Sequence, residues 1–201
     1  MTKIFIDGSQ GTTGLKIFDR LAKREDIELI TLPEDLRKDT NARKQALNSA
    51  DIAFLCLPDA AAIEAVSLIE NDNTIVIDTS TAHRTNDGWA YGFPELSEEF
   101  ETKLKNSNRI AVPGCYASGF IALVKPLVDA GIVDSDIYIA CHAMSGYSGA
   151  GKNGIAQYED ANRDVLLDAP REYALTQQHK HLKEMKAISG LQNEPIFSPY
   201  I

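Results

Sequence analysis

A chain of 201 residues with 44% hydrophobic side chains is long enough to bury a real core, which argues against a disordered polypeptide. Its 20 Lys and Arg against 29 Asp and Glu give a net charge of -9, so no generalised basic surface is available for nucleic acid or anionic lipid. Apolar runs such as Ile52 to Leu57 and Phe120 to Val124 fall far short of the roughly 18 residues a membrane span needs, and the start Met1-Thr2-Lys3 enters an apolar strand without a signal-like segment. A cytoplasmic protein, with neither a nucleic acid nor a membrane as partner, is the expectation.

In chain order, Lys3 to Asp7 reads as a strand, the glycines after it as a turn, and Leu15, Phe18, Leu21 and Ala22 recur at helical spacing. Ile27 to Leu32 is a second strand, Thr40 to Asn48 a helix, and Asp51 to Leu57 a third strand, apolar on both faces as in a covered parallel sheet. Pro58-Asp59 opens a helix over Ala60 to Ile69, with Ile63, Val66 and Ile69 as its apolar stripe, and Thr74 to Asp78 is a fourth strand. Strands alternating with helices in this way predict an α/β fold, a Rossmann-type parallel sheet with helices on both faces.

From Ser80 to Phe93 the chain is irregular; a helix over Glu95 to Lys105, a strand over Arg109 to Val112 and a helix over Tyr116 to Ala130 follow. A strand over Asp136 to Met144 begins a second region, with a domain boundary placed near Asp134, giving domains 1–133 and 134–201. The second region holds a glycine-rich loop, helices around Ala156 to Asn162 and Gln178 to Ile188, and a last apolar strand at Pro195 to Ile201. That is too little to cover a sheet face, so this α+β part is expected to be incomplete and the chain to be the front part of a longer protein.

Gly8-Ser9-Gln10-Gly11-Thr12-Thr13-Gly14 joins the first strand to the first helix, where backbone N–H groups and the helix N-terminus meet a dinucleotide pyrophosphate. The spacing is GxxGxxG in place of the usual GxGxxG. The second strand ends Thr31-Leu32 with no acidic residue at its tip for a ribose 2′-hydroxyl. Arg37 and Lys38 follow, suited to a 2′-phosphate and hence to NADP, although Glu34 and Asp35 stand closer.

Cys115, in Pro113-Gly114-Cys115-Tyr116, stands where a strand gives way to a helix, so the helix N-terminus favours thiolate over thiol and marks a nucleophile. Cys56 and Cys141 lie inside strands and read as small buried hydrophobes, and three cysteines make no disulfide framework. A thiolate mechanism needs a proton carrier, and among His83, His142, His179 and His181 the pair His179-Lys180-His181 is the useful cluster, with imidazoles expected to project in different directions from one helix. No second His or Cys pair at ligand spacing accompanies it, so no metal is expected. His142 reads as a hydrogen-bonded core histidine. Ser145 to Lys152 allows close approach to a phosphate or to the nicotinamide end of the cofactor, but it lacks the GxxxxGK[ST] order of an ATP-binding loop; a plain connection fits its composition equally well.

These motifs, together with Val76-Ile77-Asp78-Thr79-Ser80, Ala82-His83-Arg84, Tyr91-Gly92-Phe93-Pro94-Glu95-Leu96 and Pro113 to Ala117, resemble the N-acetyl-gamma-glutamyl-phosphate reductases of arginine biosynthesis, in their shorter bacterial form. The cysteine block and the Ser-Gly-Ala-Gly block are shared with the sister aspartate-semialdehyde dehydrogenases. The resemblance implies NADPH-dependent reduction of an acyl-phosphate substrate through a Cys115 thioester, with His179 as acid/base and His181 as second choice or a substrate contact. It further implies Gly8, Ser9, Gly11, Thr12, Thr13, Gly14, Ser80, Ser148 and Gly149 as contacts to NADP(H), Arg84 and Lys152 as substrate-binding cations, and a homo-oligomer. Lys183 stands where the family usually has a proline before the glutamate, here Glu184. Aspartate-semialdehyde dehydrogenase activity and a non-catalytic nucleotide-binding domain are the alternatives.

Overall fold

The computed structural model describes residues 1–201 and divides them into two compact units, Met1–Pro113 and Gly114–Ile201. The division falls some twenty residues before the expected boundary near Asp134. The cause is the helix that begins at Cys115: it packs on a helix near the chain's end, both inside the second unit.

The first unit is built on one sheet of six strands: β1 (Thr2–Asp7), β2 (Ile27–Ile30), β3 (Ile52–Leu55), β4 (Ile75–Asp78), β5 (Ala90–Tyr91) and β6 (Arg109–Ala111). Their order is β2-β1-β3-β4-β6-β5, and every pair is parallel. Parallel neighbours need crossovers, supplied here by α1 (Thr12–Leu21), α2 (Thr40–Ser49), α3 (Asp59–Ser67) and α4 (Glu98–Lys105). Alternation along β1 sends Ile4 and Ile6 to one face, where Ile17, Phe18 and Leu21 of α1 cover them, and Phe5 to the other, with Ala46 and Leu47 of α2 and Ala62 and Ala65 of α3. The order reverses between β1 and β3, so the loop leaving β1 opens at the sheet's switch point, where ligands of such folds bind.

Two expectations fail locally. Ile63 is 55% exposed, because α3 turns the fully buried Ala62 and Ala65 to the sheet, with Val66 and Ile69 packed beside them, and helical spacing carries position 63 off that stripe. Within the irregular stretch from Ser80, Ala90–Tyr91 forms the edge strand β5, too short for periodicity to reveal.

The second unit holds α5 (Cys115–Asp129), β7 (Ala140–Met144), α6 (Gly151–Glu159), α7 (His181–Ser189) and β8 (Ile196–Tyr200). β7 and β8 pair in parallel from Ala140↔Ile196 to Met144↔Tyr200, and α5 packs against α7. The expected strand starts late: Asp134 to Ile137 form a turn, with Ile137 N–H donating to Asp134 O, and only from Ala140 does the chain pair with β8. Ala140, His142, Met144 and Ile196 share one exposed face of the two-stranded sheet. His142 is thus a surface residue tilted against Tyr200, and the expected core histidine is not found. No helix is long and apolar enough to cross a membrane.

Candidate active site

In the first unit the sequence between β1 and α1 makes a backbone cradle. Gly8 has φ +85, a left-handed conformation that disfavours any side chain, and a Cβ there would stand 2.3 Å from Cys56 O. Gly14 lies so tightly over the loop that its Cβ would stand 2.3 Å from Gly8 O. Gly11 is the N-cap of α1, no side chain caps that end, and no acidic residue occupies its first turn. The result is a bare helix N-terminus with a positive end, which fits a pyrophosphate.

The cradle lines a cleft of about 840 Å³ that runs past Leu29 to Leu32 at the tip of β2 and on to Glu34, Asp35, Arg37 and Lys38. Gly8, Ser9 and Gly11 line this cleft; Thr12, Thr13 and Gly14 form the first turn of α1 behind it. Arg37 and Lys38 line this end of the cleft together with the two acidic residues. Asp7 closes the floor, held by Arg43 Nε at 3.1 Å while Arg43 Nη1 donates to Glu64 at 3.0 Å. Burial pushes the Asp7 carboxyl above its ordinary value, against the opposing pull of the Arg43 bond.

At the end of β4 a second polar cluster forms. Asp78 is fully buried and accepts from Ser80 N–H (2.9 Å), Ser80 Oγ (2.7 Å) and His83 Nδ1 (2.6 Å), while the His83 ring stacks on Trp89 at 4.1 Å. The Ser80 hydroxyl, expected at the cofactor, is thus already engaged. Arg84, expected at the substrate, is buried and donates through Nε to Val112 O (2.8 Å) and through Nη2 to Thr79 O (3.1 Å), tying together the residues that follow β4 and β6.

The second unit carries the thiol. Cys115 is exposed at the first residue of α5, whose N-cap is Gly114 with no side-chain cap. Tyr116, next in the chain, gathers the imidazoles: its ring meets His179 edge-on at 5.9 Å and His181 at 6.0 Å, and the two histidines lie 4.7 Å apart. They do not diverge as expected, because α7 begins only at His181. His179 precedes the helix, after Gln177 with φ +56, and turns back over it. His181 N–H donates to His179 Nδ1 at 3.1 Å, so the neutral His179 ring carries its proton on Nε2. Burial, and then the Lys180 charge, hold His179 below the ordinary histidine value.

Sequence reasoning missed Tyr173. Its hydroxyl donates to Tyr116 Oη at 3.0 Å, and Tyr116 Oη shares a 2.6 Å hydrogen bond with Ser145 Oγ. Burial, then the Tyr116 bond and the neighbouring Cys115, push the Tyr173 phenol well above its usual range. No motif marks Tyr173, since a lone tyrosine in a loop gives no pattern. Ser148 and Gly149 lie in a 3-10 turn (Tyr147–Ala150), and Lys152 is exposed in the first turn of α6. Cys56 is half-buried at the end of β3, its thiol pushed up to about 11 by burial, and Cys141 is raised by the same cause.

Residues 3–103 match the model of the semialdehyde dehydrogenase NAD binding domain, and residues 115–201 that of the semialdehyde dehydrogenase dimerisation domain. N-acetyl-gamma-glutamyl-phosphate reductases from Chelativorans sp. and Brucella ovis are 49% and 50% identical to this chain over 99% of its length. The chain spans 64% and 65% of those relatives' own lengths. Among solved structures, aspartate semialdehyde dehydrogenase from Francisella tularensis matches all of this chain and 71% of its own, with a TM-score of 0.63 at 13% identity. The Candida albicans enzyme with NADP matches 99% of this chain and 68% of its own, with a TM-score of 0.61 at 15% identity. At these identities the structures show a shared fold.

Proposed function

Since the chain belongs to the semialdehyde dehydrogenase family, we propose that it carries the cofactor-binding and nucleophile-bearing parts of an N-acetyl-gamma-glutamyl-phosphate reductase, which reduces N-acetyl-glutamyl 5-phosphate to the 5-semialdehyde and phosphate. The observation that carries this reading is Cys115 exposed at a helix N-terminus whose N-cap glycine offers no side chain to the first-turn N–H groups, with two imidazoles gathered on the ring of the next residue. Residues 1–113 hold the dinucleotide and residues 114–201 the thiol chemistry. The second unit is the part through which copies self-associate, a reading supported by its match to a dimerisation domain.

Cys115 attacks the acyl carbon as thiolate; a C–S bond forms, the C–O bond to phosphate breaks, and a thioester remains. NADPH, when bound, supplies the hydride that reduces this thioester. The oxyanion that develops at each addition faces the first-turn N–H groups of α5, where no side chain competes for them. His179 presents Nε2–H, so in its neutral form it is a donor to that oxyanion. Taking a proton from the thiol would need its other nitrogen, already engaged by the His181 N–H. Stabilising the oxyanion is therefore its better-supported task, and the acid/base role expected from sequence narrows accordingly. Collapse of the thiohemiacetal breaks the C–S bond, releases the aldehyde and regenerates the thiolate. Lys152, with its charge exposed, is the cation for the substrate's phosphate or carboxylate; Arg84 is already bonded to two carbonyls. Gly8 and Gly11 hold the pyrophosphate, Gly14 lets the loop close on the helix behind them, and Arg37 and Lys38 stand at the 2′-phosphate.

The test is phosphate-dependent reduction of NADP by N-acetylglutamate semialdehyde, run beside aspartate semialdehyde, on this chain and on Cys115→Ser. Turnover of the first aldehyde, lost in the variant, is expected. Turnover of aspartate semialdehyde alone would reassign the substrate, and NADP binding without turnover of either would refute catalysis by these 201 residues.

A further inference from the structure

Helix α5 begins without the residues that usually cap a helix. Gly114 at the N-cap has no side chain to accept a first-turn N–H, and Ala117 stands at the third helical position, where a capping box places Glu or Gln to hold the N-cap's own N–H. Another helix provides that carboxylate. Glu184, in α7, is only 2% exposed, and its Oε1 accepts the Gly114 N–H at 2.8 Å. Met185 beside it is fully buried, so an apolar side chain is readily housed at this depth. Burying a carboxylate is costly unless it is hydrogen-bonded, and one bond that this carboxylate makes falls on the residue covalently joined to the nucleophile.

We propose that Glu184 is a positioning residue for Cys115: it caps α5 from outside, fixing the peptide that carries the thiol and opposing with its charge the helix N-terminus that draws the thiolate. This rests on the reading of Cys115 as nucleophile. Because the cap sits on the Gly114 N–H, the N–H groups of Cys115, Tyr116 and Ala117 stay uncapped by side chains for the oxyanion. The other titratable groups facing this turn are His181 at the start of α7, His179 before it, Tyr116 on α5 and Tyr173; Lys180 is the nearby cation acting on His179.

The experiment follows iodoacetamide alkylation of Cys115 against pH, by mass spectrometry of the Cys115 peptide, in this chain and in Glu184→Gln and Glu184→Asp. Glu184→Gln keeps an acceptor oxygen and removes the charge, so the profile moves toward acid by about half a pH unit, a roughly threefold faster alkylation below the midpoint. Glu184→Asp keeps the charge but falls a methylene short, and the Gly114 amide loses hydrogen-exchange protection. A Glu184→Gln profile superimposable on that of the unaltered chain overturns the proposal. Exchange in the unaltered chain decides it without any mutation: the Gly114 amide is expected to exchange at least tenfold more slowly than that of Cys115, and equal rates overturn it. These readouts need no turnover, so intact activity in Cys115→Ser would defeat the reaction reading while leaving the Glu184 result separately legible.

Discussion

Substituting Gly14 by Ala tests the cradle at its tightest point. The added Cβ would stand 2.3 Å from Gly8 O, 2.9 Å from Gly8 C and 2.9 Å from Ser9 Cα, all backbone atoms, about an ångström short of ordinary contact at the closest. Overpacking of this kind costs roughly 1–3 kcal/mol, and backbone neighbours that cannot rotate away place it at the upper end. Alanine's better helix propensity returns about 1 kcal/mol. A net loss of about 2 kcal/mol should lower the melting temperature by roughly 4–8 °C for a chain of this size. The Gly8 to Gly11 loop must move to relieve the overlap, so NADP binding, measured by calorimetry, should weaken at least tenfold through lost phosphate hydrogen bonds of roughly 1.5–3 kcal/mol each. Gly119→Ala is the control: it is an exposed position inside α5 whose Cβ would meet nothing within 4 Å, so the same substitution there should stabilise by about 1 kcal/mol. A Gly14→Ala protein that melts at the unaltered temperature and binds NADP normally would refute the account of why that glycine is there.

Three further outcomes follow. With Cys56 pushed up to about 11 by burial, only about one part in a thousand is thiolate at pH 8, so iodoacetamide should label exposed Cys115 first, Cys141 more slowly and Cys56 last; early labelling of Cys56 would contradict the burial argument. NMR titration of the His179 ring should give a midpoint below 6.5, and Lys180→Gln should raise it without reaching 6.5, because burial is the larger cause; a midpoint at or above 6.5 in the unaltered chain would contradict both. The sign for stability is that the unfolded chain takes up the His179 proton first, so the contribution is complete above pH 6.5 and is lost as the pH falls from there toward the lower folded value. Tyr116→Phe removes the shared partner of Ser145 and Tyr173, and the two stranded hydroxyls should cost about 1–3 kcal/mol in denaturant unfolding; an unchanged midpoint would show that the network is not structural.

Of the first unit, what was legible in sequence is what local chemistry determines. Short apolar runs became the strands β1 to β4, and the glycines between β1 and α1 had to form a turn at the switch point wherever the rest of the sheet went. Ile63 shows the limit. Its side chain suits a buried stripe, but which stripe α3 buries is settled by tertiary contact, and the face the helix turns to the sheet is the one holding Ala62 and Ala65. Strand β5 is two residues long and exists only because β6 offers an edge. The boundary was misplaced for a similar reason: a helix ending near Ala130 and a strand starting soon after are legible in sequence, whereas the packing of α5 on α7, which assigns Cys115 to the second unit, joins residues some seventy positions apart.

The thiol site divides along the same line. Cys115 announces itself, because a thiol at a strand-to-helix junction is a local pattern with a direct electrostatic consequence. Its surroundings do not. Glu184 reads in sequence only as the glutamate after the histidine pair in the family's pattern, with no partner indicated, and Tyr173 as a loop tyrosine, yet one holds the peptide bonded to the nucleophile and the other completes a hydroxyl chain through Tyr116 to Ser145. The tautomer of His179 was equally hidden, since it depends on a backbone N–H two residues on and on a helix that starts at His181 and not before. The nucleophile's identity is thus a property of its own junction, whereas the state in which the residues around it act is set by groups from three other segments. Substitutions at Glu184 or Tyr173 that leave the cysteine motif intact are accordingly the ones that separate having a thiol from having a working one.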